Sequence, residues 1–172
     1  IINNVRSFVR NERSLSVEPC DINNIIENVL QKMEKELKEN KIILVRNLKD
    51  IPCIKGNRAG LETVVVNLLN NSVKAFKRTV NKQKEIAVST LVEERNIYIE
   101  ISDNATGINE SILDMIYDPF FTTVAVNEGM GLGLTMVHWV VKRHQGNIEI
   151  TNNNQGGVTC RIQIPILPEE NL

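Results

Sequence analysis

The alternation of two hydrophobic periodicities constrains the fold of this chain more than any other feature of its sequence. Apolar residues recur at helical spacing in residues 22–37, in residues 61–76 and after residue 133, which predicts three amphipathic helices. Short runs rich in Ile and Val predict strands at residues 42–45, 86–92, 97–101, 148–151 and 158–166. Because helices that bury one face pack on a sheet, we predict an α/β (α+β) fold, a two-layer sandwich of a mixed, about five-stranded sheet on three helices.

Local patterns refine these boundaries. Asp21 is predicted to cap the first helix, and Gly146 stands where the last helix should end. The second and third predicted strands should pair as a hairpin. Residues 14–19 are predicted to be a linker, and residues 47–56 a turn-prone segment.

Composition narrows the possible function classes. A chain of 172 residues suffices for one domain, and a formal net charge of −1 gives no electrostatic reason to expect a nucleic-acid or acidic-membrane partner. Aromatic residues make up 4% of the chain, which argues against base stacking along a strand. The cysteines Cys20, Cys53 and Cys160 lack metal-ligand spacing, so we expect reduced thiols in a cytoplasmic protein.

No apolar run approaches the roughly 20 residues of a membrane span. The first residue is Ile1 rather than Met, so we expect a piece of a longer protein that could itself be membrane-anchored.

The segment 129–134 alternates glycine with Met or Leu just before the third predicted helix. Glycine has no Cβ, so backbone amides can approach an anion closely, and a helix N-terminus attracts negative charge. The segment therefore favours a phosphate site. From these residues alone, a flexible hinge before a core helix is the alternative.

The second predicted helix carries a polar stripe within an apolar pattern. Asn67, Asn71 and Lys74 are spaced so that they share one face. An Asn oxygen is a hard, neutral ligand that Mg²⁺ accepts alongside phosphate oxygens and waters, and a Lys ammonium is a point charge for phosphate. The alternative is that the Asn side chains merely cap or contact backbone.

Asp103 follows directly on a predicted strand. A strand-end carboxylate partly shielded from water accepts hydrogen bonds well, and the exocyclic amine of adenine is a suitable donor. Guanine presents a carbonyl oxygen at that position, which would repel the carboxylate. The alternative for residues 103–108 is an ordinary Asx turn.

Four segments in this order resemble the sequence boxes of one family. Residues 67–75 are similar to the N box of the catalytic ATP-binding domain of sensor histidine kinases, and residues 103–108 to its first glycine box. Residues 118–123 resemble its F box and residues 129–134 its second glycine box. The resemblance covers residues 22–166 and implies the Bergerat-type fold of the superfamily shared with gyrase and mismatch-repair ATPases (GHKL).

The resemblance implies a site for ATP and Mg²⁺. It implies Asn71 as the principal Mg²⁺ ligand with Asn67 in support, and Asp103 as the acid that recognises adenine. Thr159, in a closing glycine-threonine strand, would join the adenine network. The implied catalytic residues are Asn67, Asn71 and Lys74. The implied nucleotide-binding residues are Asn71, Lys74, Ala75, Asp103, Gly107, Ile108, Phe120, Gly129, Gly131, Leu132, Gly133, Leu134 and Thr159.

The resemblance also implies an activity and partners. The family transfers the γ-phosphoryl group of ATP to a histidine on a dimerisation hairpin of the same protein, and then to a response regulator. Residues 1–16 resemble the end of the second hairpin helix plus a linker, which leaves residues 17–172 as the catalytic domain of a homodimer. Neither His138 nor His144 precedes an acidic residue as the family's phosphoacceptor does, so the acceptor should lie elsewhere.

Departures from the family pattern keep alternatives open. Asn67 stands where ATP-hydrolysing members carry Glu, and an amide cannot act as a general base, which favours a kinase over an ATPase. Ala105 replaces a glycine, which is tolerable unless that position needs a positive φ. Val124 replaces a basic residue, and no Lys or Arg occurs from residue 103 to residue 141. A non-catalytic ATP-sensing or interaction module of the same fold, or a serine-directed protein kinase relative, is the alternative.

Overall fold

A computed structural model of the chain describes residues 16–77, 79, 83–121 and 131–167. Within these ranges the three predicted helices are present, with one 3₁₀ turn at Glu110–Met115. The helices are α1 (Ile22–Glu39), α2 (Arg58–Phe76) and α3 (Gly133–Arg143). The strands are β1 (Glu18–Cys20), β2 (Ile42–Leu48), β3 (Ile54–Gly56), β4 (Lys84–Glu93), β5 (Asn96–Asp103), β6 (Asn147–Asn152) and β7 (Val158–Pro165).

The main sheet has five strands in the order β2-β4-β5-β7-β6. Strand β2 runs parallel to β4, and every other pair in this sheet is antiparallel, so the predicted mixed sheet is confirmed. Strands β4 and β5 form the predicted hairpin, with Glu93 opposite Asn96. This order places the end of β5 beside the start of β7 in the middle of the sheet.

One face of the sheet is covered by the helices, as the hydrophobic periodicity predicts. Along β5 buried and partly exposed residues alternate strictly, and α1 buries every apolar residue of its predicted stripe. Helix α2 packs against both α1 and α3 and also contacts β5. The core therefore lies between the helices and one face of the sheet, which confirms the two-layer sandwich.

The helix N-termini are fixed by side-chain caps. Asp21 accepts a hydrogen bond from the Asn24 amide at 2.9 Å, which confirms the predicted cap of α1. Asn57 accepts one from the Gly60 amide at 2.6 Å, so α2 begins at Arg58, three residues before the predicted apolar pattern.

Two segments predicted as linker and turn contain paired strands. The prediction of linker for residues 14–19 and of turn for residues 47–56 is wrong where Glu18–Cys20 pairs antiparallel with Ile54–Gly56. Cys20 is 0% exposed and Ile54 is 5% exposed, so each short strand is anchored by one apolar residue. A single buried apolar side chain in each strand gives no hydrophobic periodicity, and the sequence pattern therefore did not show these strands.

The end of α3 also differs from the prediction. Gly146 was predicted at the cap, yet Gln145 is the residue in the left-handed region, with φ of 56°. The Gly146 amide donates to the Val141 carbonyl at 2.9 Å and the Gln145 amide to the Lys142 carbonyl at 3.0 Å, the pair of bonds of a Schellman motif. Glycine is needed at 146 because a Cβ there would collide with the Gln163 carbonyl.

His144 links this helix end to the start of α2. Its Nε2 accepts a hydrogen bond from the Asn57 amide at 3.0 Å, which requires the ring proton to be on Nδ1. Nδ1 lies 2.8 Å from the Val140 carbonyl and donates to it. The imidazole therefore joins the end of α3 to the start of α2.

The predicted helix end and linker in residues 1–16 lie almost wholly outside the described residues, so this domain boundary stays a prediction. Within the part of the chain that the structure describes, no helix is long and apolar enough to cross a bilayer.

Candidate functional site

Asp103 ends strand β5 and is one of the few buried polar side chains in the described residues, at 5% exposed. Its Oδ2 accepts a hydrogen bond from the Ser72 hydroxyl at 2.8 Å. Its Oδ1 accepts from the backbone amides of Ala105 and Val158 at 3.1 and 3.4 Å. Burial raises the pKa of the Asp103 carboxyl, and these three hydrogen bonds counteract part of that increase. The predicted Asx turn is present, and it holds the carboxylate in place.

The neighbouring strand β7 approaches this carboxylate closely. A Cβ on Gly157 would collide with the Asp103 carbonyl and would lie 2.6 Å from its Oδ1. Asn153 donates to the same carbonyl at 2.9 Å. Cys160 pairs with Ile101 in the register of β5 and β7, and burial together with the Asp103 charge raises the pKa of this thiol to about 12. Asp103 is thus the charged group of an otherwise neutral corner of the sheet.

The predicted polar stripe on α2 lies beside the start of α3. Asn67 is half-buried, and its Nδ2 donates to the Thr63 carbonyl at 2.8 Å. A Cβ on Gly133 would lie 3.0 Å from Asn67 Oδ1, so this oxygen faces the first residue of α3. Asn71 and Lys74 are exposed on the following turns. The side-chain nitrogen of Asn67 therefore contacts backbone, as the alternative interpretation of the stripe holds. Its side-chain oxygen is directed toward the glycine segment.

The N-terminus of α3 has no side-chain hydrogen bond at its capping residue, Leu132. The first amides of a helix have no intrahelical acceptor, so they are available for an anion. Leu132, Gly133 and Leu134 are all partly exposed at this point. The structure therefore brings an uncapped helix N-terminus and the Asn67 amide together.

The F box meets the glycine segment through the backbone. Gly131 has φ of 68°, and a Cβ there would collide with the Phe121 carbonyl and with the carbonyl carbon of Phe120. Phe121 packs against the core, whereas the Phe120 ring is 73% exposed, with φ of 68°. We therefore find no packed position for the predicted nucleotide contact of Phe120. Gly129, Thr122, Thr123 and Val124 lie outside the described residues.

Tyr117 fixes the chain before the F box to α3. Its carbonyl accepts a hydrogen bond from the Thr135 hydroxyl at 3.2 Å, and its ring lies 5.3 Å from that of His138. Burial raises the pKa of Tyr117 to about 12, so the phenol is neutral. His138 is accordingly a half-buried packing residue.

The first glycine box is held by Asn152, the last residue of β6. Asn152 accepts from the Ile108 amide at 2.7 Å and donates to the Ile108 carbonyl at 2.8 Å. A Cβ on Gly107 would lie 2.7 Å from Asn152 Oδ1, so glycine is required beside this double hydrogen bond. Ala105 is 3% exposed and is not among the described residues with positive φ, so its methyl group is accommodated.

Thr159 does not join Asp103 directly. Its hydroxyl lies 2.9 Å from that of Ser102, its partner in the register of β5 and β7. Ser102 points to the opposite face of the sheet from Asp103, because successive side chains of a strand alternate. Val158 contacts Asp103 instead, through its backbone amide. Asn153 Nδ2 lies 3.4 Å from the Thr159 hydroxyl and 2.9 Å from the Asp103 carbonyl, so it links the two residues, and the place of Thr159 in the adenine network stays a prediction.

The structure thus brings Asn67 beside Gly133, Ser72 beside Asp103, and Gly131 beside the backbone of the F box. Sequence reasoning missed Ser72, Asn152 and Asn153, which position Asp103 and the first glycine box. Ser72 could have been noticed as a hydroxyl on the apolar face of α2. The Asn residues were indistinguishable from a turn.

Comparisons with known proteins identify the family of this chain. The family described as histidine kinase-, DNA gyrase B- and HSP90-like ATPase matches residues 56–168. The sensor histidine kinase ZraS of Escherichia coli strain K12 is 30% identical over 153 residues, which cover 88% of this chain and 32% of ZraS. The C4-dicarboxylate transport sensor protein DctS of Rhodobacter capsulatus is 26% identical over 171 residues, which cover 99% of this chain and 25% of DctS. The chain thus spans a third or less of the length of these curated relatives.

The fold is also that of a solved catalytic domain. The nucleotide-free catalytic domain of the histidine kinase ThkA superposes with a TM-score of 0.79 at 22% identity, covering 90% of this chain and 100% of that one. The fold and the family that the sequence boxes predicted are both confirmed. From the match over residues 56–168, the chain belongs to the histidine kinase-, DNA gyrase B- and HSP90-like ATPase family.

Proposed function

We propose that this domain binds Mg·ATP and transfers its γ-phosphoryl group to a histidine on a separate hairpin domain. One observation supports the proposal: a single helix, α2, contacts both the end of β5 and the start of α3. Ser72 bonds Asp103 at the end of β5, and Asn67 faces Gly133 at the start of α3. Five residues of helix separate these contacts by about 7.5 Å along its axis, so one bound molecule can reach both.

Asp103 would select the base. Its carboxylate is buried, oriented by three donors and surrounded by neutral groups, so it presents an acceptor to a nucleotide. The exocyclic amine of adenine can donate to it, whereas the carbonyl oxygen of guanine cannot. We therefore expect ATP to bind more tightly than GTP.

The phosphates would lie between α2 and the start of α3. The uncapped N-terminus of α3 offers backbone donors, and Lys74 supplies an exposed charge near the same face. The exposed amide of Asn71 and the half-buried oxygen of Asn67 are ligands of the type that suits Mg²⁺. When bound, Mg²⁺ would neutralise negative charge on the phosphates during transfer.

Asn67 favours transfer to a partner over hydrolysis. Its nitrogen already donates to Thr63, and neither atom of an amide can take a proton from water near neutral pH. Phosphoryl transfer depends mainly on positioning and charge neutralisation, and the acceptor brings its own nucleophile. The residues of this chain would therefore bind and orient ATP, and exclude water as an efficient acceptor.

The proposal implies partners. Residues 1–16 would be the end of a dimerisation and phosphoacceptor hairpin, residues 17–172 the catalytic domain, and a response regulator the final acceptor in a cytoplasmic homodimer. These assignments rest on the resemblance of the four boxes and on the sensor kinases among the relatives.

The test is to mix the chain with a phosphoacceptor hairpin and radiolabelled ATP. We expect acid-labile label on the hairpin histidine, and none with Asn71→Ala. Tight ATP binding without any label would support a sensing module, and acid-stable label on serine would support a serine-directed kinase. Steady phosphate release without an acceptor would contradict the role given to Asn67.

A further inference from the structure

Two buried polar side chains of the described residues bond directly to each other across the core. Ser72 is 6% exposed on α2, and Asp103 is 5% exposed at the end of β5. The Ser72 hydroxyl has one proton, and it donates this proton to Asp103 Oδ2 at 2.8 Å. In a helix a Ser hydroxyl commonly bonds the carbonyl four residues earlier instead, so its direction toward the sheet is a specific arrangement.

The remaining hydrogen bonds of Asp103 determine what this contact does. An ionised carboxylate has about four acceptor positions. The amides of Ala105 and Val158 both bond Oδ1, and Ser72 bonds Oδ2. One position therefore stays open, on Oδ2, and its direction is set by the Ser72 hydroxyl.

Ser72 also follows Asn71, the proposed principal Mg²⁺ ligand, directly on α2. A displacement of Asp103 would therefore act on the helix that carries the amides, and a displacement of α2 would act on Asp103. Without Ser72 the carboxylate would keep both contacts of Oδ1 but could rotate its other oxygen.

We propose that Ser72 is a positioning residue for base selection, because its hydroxyl fixes the open acceptor of Asp103 toward the exocyclic amine of adenine and ties it to the helix that carries Asn71. This inference rests on the proposed function, since it assigns a selectivity device to the same nucleotide site. Ser72 itself need not touch the nucleotide.

The test compares ATP and GTP affinities of wild type and Ser72→Ala by calorimetry over a range of pH. We expect the affinity for ATP to fall about tenfold, the scale of one hydrogen bond to a charged group, and that for GTP to change less than about twofold. As the pH is lowered, the ATP-to-GTP affinity ratio of Ser72→Ala should begin to fall at a higher pH than that of wild type. Ser72 helps to keep the pKa of Asp103 down, and a protonated carboxyl accepts less well. The ratio cancels titration of the triphosphate, which both nucleotides share.

Two further variants separate positioning from a loss of stability. Thr90→Val removes another buried hydroxyl, which bonds Asn23 Oδ1 at 2.8 Å, and it should lower the melting temperature without changing the affinity ratio. Ser72→Cys keeps the side-chain size with a weaker donor and should give an intermediate ratio. It also serves if Ser72→Ala does not fold.

The outcomes distinguish this inference from the proposed function. If wild type selects ATP and neither Ser72 variant changes the affinity ratio or its pH midpoint, the positioning role is wrong while the site stands. If wild type binds neither nucleotide, the proposed function fails, and the inference fails with it.

Discussion

Gly157→Ala tests the close approach of strand β7 to Asp103. The new Cβ would collide with the Asp103 carbonyl and lie 2.6 Å from its Oδ1, whereas ordinary contacts begin at 3.4 Å. Most of what it meets is backbone, which cannot rotate away. Strand β7 must therefore move back by about 1 Å at this point.

The structure sets the size of the effect. The hydrogen bond from the Val158 amide to Asp103 Oδ1 is already 3.4 Å long. The displacement of β7 by about 1 Å would lengthen this bond by a similar amount and break it. Overpacking of this kind costs about 1–3 kcal/mol, which in a domain of this size lowers the melting temperature by roughly 3–10 °C. Loss of a donor also raises the pKa of Asp103 further, so selection of ATP over GTP should weaken.

Thermal unfolding followed by circular dichroism and calorimetric titration with ATP and GTP measure the two effects. Gly156→Ala is the matched control, because Gly156 has φ of 89° and is exposed. Backbone strain should lower its free energy of unfolding by about 1 kcal/mol or more, and with it the melting temperature. The affinity ratio should not change. A wild-type melting temperature for Gly157→Ala would refute the packing argument. A loss of stability with unchanged base selection would refute the link between strand pairing and Asp103.

Three further substitutions test other parts of the site. Asn71→Ala should leave the melting temperature within about 2 °C of wild type, because the side chain is exposed. It should abolish the difference between the ATP affinity measured with Mg²⁺ and that measured with EDTA. An unchanged difference would exclude Asn71 as a Mg²⁺ ligand. Asp103 has a raised pKa in the folded state, so its contribution to stability is fully present below the unfolded pKa and is lost as pH rises through the folded pKa. Asp103→Asn should therefore leave the free domain at least as stable at neutral pH by thermal unfolding, and its amide, with one N–H to Ser72, should shift preference toward GTP; retained ATP preference would contradict this. Thr159→Val should leave the ATP affinity measured by calorimetry within about twofold of wild type, because the Thr159 hydroxyl contacts Ser102 on the other face of the sheet. A larger loss would show that Thr159 takes part in nucleotide binding.

The helices and the main sheet could be predicted because burial repeats along them. The stripe on α1 places an apolar residue on the core side at each turn, and the sheet strands are apolar over several residues. The strands Glu18–Cys20 and Ile54–Gly56 could not be predicted, since each has only one buried apolar side chain and therefore no hydrophobic periodicity. Their pairing depends on contacts across 36 residues of chain, such as that of Cys20 with Gly56.

The site was predictable as a set of local patterns and not as an arrangement. The Asn67 stripe and the glycine segment follow from spacing along the chain. The contact between Asp103 and Ser72 joins residues 31 positions apart, and nothing local indicates it. The same holds for Thr159, because the register of β7 against β5 decides which of Val158 and Thr159 shares a face with Asp103.

The central claim is that one molecule of Mg·ATP contacts α2, the start of α3 and the end of β5 at once. An NMR titration of the ¹⁵N-labelled chain with Mg²⁺ and a non-hydrolysable ATP analogue tests it most directly. The account predicts that amide resonances at Asn71, Gly133 and Ala105 shift together, with a single apparent dissociation constant. Shifts confined to another surface, shifts at only one end of α2, or no shifts at millimolar nucleotide would contradict it.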